Sequence, residues 1–111
     1  MFRVVQQGAV RVIQGETPLN GDYVPVAATF CEPLSTTGQP KLVFDLSGVP
    51  LINSAGLELL LDVRDRCAER GGALVLAAPT PLCREILAAT GLLGGIAVFE
   101  DTVSAAGSFA Q

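Results

Sequence analysis

With 111 residues the chain has room for one compact domain and none for a second, and with 50% hydrophobic and 16% charged residues it can bury a core without metals or disulfides. A net charge of −4 argues against a non-specific nucleic-acid binder, which needs a basic face to displace counterions. The absence of histidine excludes Ser-His-Asp and Cys-His catalysis, His-ligated zinc and a phosphohistidine relay.

From the N-terminus, apolar residues at Phe2, Val4 and Val5 and then at Ala9, Val10, Val12 and Ile13, divided by Gly8, predict two short strands joined by a tight turn. Asn20-Gly21-Asp22 is a turn signal. Beyond it Val26, Ala27, Phe30 and Leu34 recur at helical spacing, with Pro25 in the first turn and Pro33 as an early stop. STTGQPK reads as a surface loop. KLVFDL is a continuous apolar run with Asp45 near its end, the pattern of a strand covered on both faces.

Ala55 to Arg70 is the clearest helix, closed by Gly71-Gly72, and ALVLA (residues 73–77) is a second buried strand. Thr80 caps and Pro81 opens a helix running to about Thr90, where Gly91 stops it. Gly94-Gly95 reads as a turn, IAVF (residues 96–99) as a last strand, and Asp101 or Thr102 starts a short terminal helix. Alternation of this kind predicts an α/β domain: a mixed, mainly parallel sheet of four or five strands with about four helices and an antiparallel edge. The three cysteines, Cys31, Cys67 and Cys83, lie in apolar patterns with no C-x-x-C pair, so buried free thiols in a reducing compartment are expected. No leader pattern and no apolar run of ~18 residues is present, so the expectation is a cytoplasmic protein without membrane insertion.

The polar pair Asn53-Ser54 stands at the head of the long helix, with Gly56 behind it. Both side chains suit the N-cap. A helix N-terminus also gathers unpaired N–H groups and tolerates a phosphate, so Ser54 is at once a candidate cap and a candidate phosphoacceptor, with Gly56 keeping the approach open. On the helical wheel Leu57, Leu60, Leu61, Val63, Cys67 and Ala68 share an apolar arc. Glu58, Asp62, Asp65 and Glu69 form an acidic ridge that is either a solvated face or a docking surface for a basic partner. Only Asp62–Arg66 offers an obvious compensating pair. Arg64 falls in the apolar arc, either snorkelling to its edge or free to neutralise a phosphate. Asp45 is expected to anchor the loop after its strand. With no histidine, no metal-ligand cluster and no phosphate-binding glycine loop after the first strand, neither an enzyme nor a metal or cofactor is expected.

The succession LVFDLSGVPLINSAGLELLL, RGGALVLAAP and LLGGIAVFED, followed by an Ala-rich helix, resembles the STAS domain of bacterial anti-sigma factor antagonists. The resemblance is close over residues 41–111 and holds in outline over 1–40, so one STAS domain over 1–111 is implied. It implies a partner-switching regulator: an anti-sigma factor serine kinase phosphorylates Ser54, and a phosphatase resets it. Asn53, Ser54, Gly56, Glu58 and Asp62 would then form the partner-binding site, with the loop from Ser47 to Asn53 beside them. Asn53 stands where phosphorylated members carry aspartate, which removes a carboxylate beside the hydroxyl. Ala55 replaces a second hydroxyl residue, leaving Ser54 as the local acceptor. The same resemblance admits an adaptor subunit of a transporter or signalling assembly, in which Ser54 only caps. A nucleotide or lipid at the strand-end crevice is a third reading, by fold analogy alone.

Overall fold

A computed structural model describes residues 2–31 and 39–110. In chain order the elements are β1 (Phe2–Gln7), β2 (Val10–Gly15), α1 (Val24–Cys31), β3 (Lys41–Asp45), α2 (Ser54–Glu69), β4 (Ala73–Ala77), α3 (Pro81–Ala89), β5 (Val98–Phe99) and α4 (Thr102–Gly107). The five strands form one sheet in the order β1-β2-β3-β4-β5. β1 pairs antiparallel with β2, and all other pairs are parallel. The domain is therefore a single α/β unit with a mixed five-stranded sheet and four helices, as the alternation predicts.

The hairpin follows from Gly8. Gln7 pairs with Val10 across the two-residue loop Gly8-Ala9, and Gly8 has a φ of 61° while Ala9 keeps a negative φ. Positive φ at the first loop residue alone is the type II′ pattern, whose twist matches that of the flanking strands. The central strands β3 and β4 carry unbroken apolar runs, residues 42–44 and Ala73–Ala77, because both their faces are covered. On one face Ile13, Leu42, Phe44, Leu74 and Leu76 pack against α1, α2 and α3 through Ala27, Cys31, Leu59, Leu60, Val63, Cys67, Cys83 and Leu87. On the other, Val10, Val12, Val43, Val75 and Ala77 meet Ala105 of α4. The alternation of side chains along each strand sends successive residues to opposite cores. All three cysteines are buried, and burial pushes the Cys67 thiol above its ordinary value against the opposing pull of Arg66 and Arg70.

The helix ends obey local chemistry. α2 stops at Gly71, whose φ is 78°. Its amide bonds Ala68 O at 2.9 Å while that of Gly72 bonds Cys67 O at 2.9 Å, the paired bonds of a Schellman motif. Thr80 caps α3 by accepting the Cys83 amide, with Pro81 in the first turn. Asp101 caps α4, its Oδ1 accepting Ser104 N–H at 2.6 Å.

Two expectations need correcting. The stripe proposed for the first helix holds at Ala27, which is buried, and at Phe30, which packs against the core, but fails at Val26, which is 48% exposed. Pro33 and Leu34, and residues 35–38 of the proposed loop, lie outside the described residues. The last strand is two residues rather than four, because Ile96 turns into the core at 4% exposure instead of joining the ladder.

The Asp101 cap generates a pH-dependent prediction. The amide and hydroxyl of Ser104 hold its carboxyl below the ordinary carboxylate value. A depressed native pKa gives stability that is present above the unfolded value and is lost as pH falls through the native one. Urea midpoints of the wild type and Asp101→Asn should therefore differ most near neutrality and converge in acid, since asparagine caps at every pH. A difference independent of pH would show that the carboxylate charge contributes nothing.

Candidate functional site

The C-terminal ends of β2, β3 and β4 and the N-termini of α1, α2 and α3 share one pole of the domain, the consequence of a parallel sheet with its helices returning on one face. The loop from β3 to α2 crosses this pole and is held at each step. The Leu46 amide continues the ladder to Ala77 O at 2.9 Å, and the Val49 amide turns back to Leu46 O at 3.0 Å. Asp45, 8% exposed, accepts the Ser47 amide on Oδ1 at 2.9 Å. The carbonyl of Val49 receives the Cys83 thiol at 3.2 Å and the Thr80 hydroxyl at 3.4 Å, which ties the loop to the first turn of α3. Val49 and Ile52 point inward while Leu51, at 38% exposure, points out.

The segment after β2 clasps the loop from the other side. Leu19 and Ile52 form an isolated parallel bridge, with Leu19 N bonded to Leu51 O and Asn53 N bonded to Leu19 O, both at 3.0 Å. Here Gly56 finds its reason. It is buried, and a Cβ there would collide with Leu19 O and would lie 2.7 Å from Leu19 Cβ and 2.8 Å from Ile52 Cγ2. Glycine at this position lets a backbone segment lie against the first turn of α2; it does not clear an approach to Ser54, and being covered it cannot itself meet a partner.

Asn53 is the N-cap. Its backbone is extended, and its Oδ1 accepts the amides of Ala55 at 3.0 Å and Gly56 at 3.3 Å. Ser54 is the first residue of the helix and is exposed. The ambiguity between two capping candidates is resolved by the geometry: asparagine satisfies the orphan amides, and the serine hydroxyl is left in solvent at the positive end of a sixteen-residue helix. Glu58 and Asp62 are exposed and follow Ser54 at four-residue steps, so the three share one slowly drifting stripe of the helix.

The ridge below that stripe is less negative than the sequence suggests. Asp62 pairs with Arg66 at 3.3 Å, as its spacing predicts, and Asp65 pairs with Arg64 at 3.0 Å. Arg64 also reaches Gly95 O at 3.5 Å. Ten residues from Ser54, it lies about 15 Å down the axis, where it cannot neutralise a phosphate on that serine. The buried face of α2 includes Leu59, absent from the expected arc, whereas Ala68 is exposed. Sequence reasoning also missed two exposed apolar side chains at this pole, Leu51 and, at 49% exposure on the first turn of α3, Leu82. The proline-flanked positions of both residues (Pro50 before Leu51, Pro81 before Leu82) were the available signal. Among the described residues no group of three or more His, Cys, Asp or Glu is arranged to hold a metal, and no helix is long and apolar enough to cross a membrane.

The STAS domain family model matches residues 3–106. No match is found among curated protein sequences. Among solved structures, an anti-sigma-factor antagonist (STAS) domain protein from Planctomyces limnophilus superposes with a TM-score of 0.88 at 24% identity, covering 99% of this chain and 98% of its own. An anti-sigma factor antagonist from Mycobacterium paratuberculosis gives 0.88 at 20% identity, covering 100% and 94%. A sulfate transporter family protein from Wolinella succinogenes gives 0.78 at 20% identity, covering 96% and 88%. At these identities the likeness is one of fold.

The division of labour at the helix start is directly measurable. Asn53→Ala should cost about 1 kcal/mol in chemical denaturation, the usual value of a lost N-cap. Ser54→Ala should change stability by less than about 0.5 kcal/mol. Gly56→Ala should cost more than either, at least about 1–3 kcal/mol, because the displaced atoms are backbone. An inverted order for Asn53 and Ser54 would assign the cap to the serine.

Proposed function

This chain belongs to the STAS domain family, and on that footing we propose that it is a regulatory protein-binding module, an anti-sigma factor antagonist whose attachment to its partner is controlled by phosphorylation of Ser54. The observation that carries this reading is the exposed Ser54 hydroxyl beside a cap supplied wholly by Asn53. A phosphoryl group added there removes no hydrogen bond on which the helix depends.

The partner is an anti-sigma factor serine kinase, which transfers the γ-phosphoryl of ATP to Ser54 Oγ, takes up the hydroxyl proton on a base of its own and releases ADP. A separate phosphatase hydrolyses the phosphoserine and resets the module. Unphosphorylated, the domain presents Ser54, Leu51 and the acidic stripe of Glu58 and Asp62 to the kinase and frees the sigma factor. Exposed acids on the neighbouring loops, Glu16 and Asp22, extend the negative field and suit a basic rim on that partner. The phosphoserine adds roughly −1.5 to −2 charge at the centre of this surface. A charge buried in an interface without a partner costs several kcal/mol, which at 1.4 kcal/mol per factor of ten is enough to end binding. At the helix N-terminus the same charge is tolerated or mildly favourable to the fold, by about 0.3–1 kcal/mol. The module acts by binding rather than by catalysis, without a cofactor or metal, and works in the cytoplasm.

Asn53 favours a second reading. Lacking the carboxylate of the phosphorylated members, the domain would serve as a constitutive adaptor in a transporter or signalling assembly, with Ser54 unmodified.

The two readings part on one experiment. Incubated with the cognate serine kinase and ATP, the protein should gain a single phosphate at Ser54 by mass spectrometry. Ser54→Asp should lose at least about a hundredfold in kinase affinity with an unchanged unfolding midpoint, and Ser54→Ala should bind and stay bound. A protein that remains unmodified, and whose Asp and Ala variants bind alike, is an adaptor.

A further inference from the structure

The two edges of the sheet are treated differently. β5 ends one side with two residues, a short edge that offers little to a passing strand. β1 ends the other with six residues in unbroken register, Phe2 opposite Gly15 through Gln7 opposite Val10, with no bulge. Its sequence FRVVQQ holds no proline, lysine or carboxylate, the usual means of blunting an edge. Val4 and Val5 are 40% and 36% exposed, although both belong to an apolar strand pattern.

Among the described residues the backbone groups of β1 left without a strand partner can be assigned. Gln7 and Val10 close a two-residue loop and so form a hydrogen-bonded pair; alternation along an antiparallel ladder then directs the N–H and C=O of Arg3, Val5 and Gln7 toward β2. Those of Phe2, Val4 and Gln6 point off the sheet. We propose that this edge is a self-association surface, on which β1 of a second copy pairs antiparallel about a two-fold axis through Val4. The register is self-complementary: Val4 faces Val4, and Phe2 of each copy faces Gln6 of the other, so every outward backbone group finds a partner. On the α4 side of the sheet Arg3 stands opposite Val5, and no like charges face one another directly. Arg3, the one charge on the strand, is already bonded to Gln14 Oε1 at 3.1 Å. For a molecule of net charge −4, an edge without carboxylates is where two copies approach with least repulsion.

The area sets the strength. A six-residue strand is roughly 20 Å long, and a band of roughly 10–15 Å along it buries about 200–300 Å² per copy, against about 800 Å² in a standard stable interface. An interface of this size belongs to the weak, transient class. Antiparallel pairing sends the two functional poles to opposite ends, so Ser54 of each copy stays accessible and one dimer can hold two partners. The proposal is independent of whether Ser54 is phosphorylated.

The test is sedimentation velocity on the full chain from about 10 µM to about 1 mM, with hydrogen exchange at both ends of the range. The wild type should shift from monomer toward dimer, with concentration-dependent protection at the amides of Val4 and Gln6 but not of Arg3 or Val5, which are protected throughout. Val4→Pro removes an outward N–H and no bond to β2; it should keep the unfolding midpoint and remain monomeric. Should Val4→Pro fail to fold, the double variant Val4→Lys, Val5→Lys keeps the backbone and should equally remain monomeric. A wild type monomeric at 1 mM, or a folded variant that associates as the wild type does, overturns the proposal.

Discussion

The first turn of α2 is held from two sides at once, and the remainder of the functional pole is arranged around that fact. From the loop side, the carboxamide of Asn53 takes the amides of Ala55 and Gly56. From the core side, Leu19 lies against Gly56 so closely that no side chain fits between them, and its backbone is bonded to Leu51 and Asn53. A helix start tethered by its neighbour's side chain and by a second strand-like segment has no use for the hydroxyl of Ser54. That hydroxyl is free to carry something else.

The magnitudes show why this position suits a switch. The modification is a large local charge, and its effect on the fold and its effect on binding are decided by different environments. On the free protein it sits in water at a helix N-terminus, where the interaction is worth a fraction of a kcal/mol and favours the charge. In the proposed complex it would be desolvated beside the acids of the α2 stripe, where the penalty is several times larger. On the proposed reading the fold would register the event weakly and the interface strongly. The tie between Val49 and the first turn of α3 holds the loop in place.

Much of this was legible in the amino-acid sequence, and the parts that were not share a physical cause. The strands of the central sheet, the Schellman stop at Gly71-Gly72 and the Thr80-Pro81 and Asp101 caps are set by residues within a few positions of one another, and they appear where local patterning places them. On α1 only Val26 was misplaced, because hydrophobicity alone favours it: the small Ala27 faces the sheet, and the larger Val26 is left in solvent. Gly56 was misassigned for a related reason. Its neighbour Leu19 is 37 residues away in sequence, and a tertiary collision leaves no local trace. The pairing of Arg64 with Asp65 and Gly95 was hidden likewise, since an adjacent acid and a distant carbonyl belong to no helical spacing rule.

The central claim is that a phosphate on Ser54 is accommodated by the fold and felt only at the surface. Installing phosphoserine at residue 54 during synthesis and comparing amide spectra with the unmodified protein tests it without any partner. Chemical-shift changes should be confined to the first turn of α2, the preceding loop and the Leu19 segment, with amides of the central strands unmoved and the thermal midpoint preserved. Shifts spreading through β3 and β4, or a loss of cooperative unfolding, would mean that the charge perturbs the packed interior, and the account of a surface switch would fail.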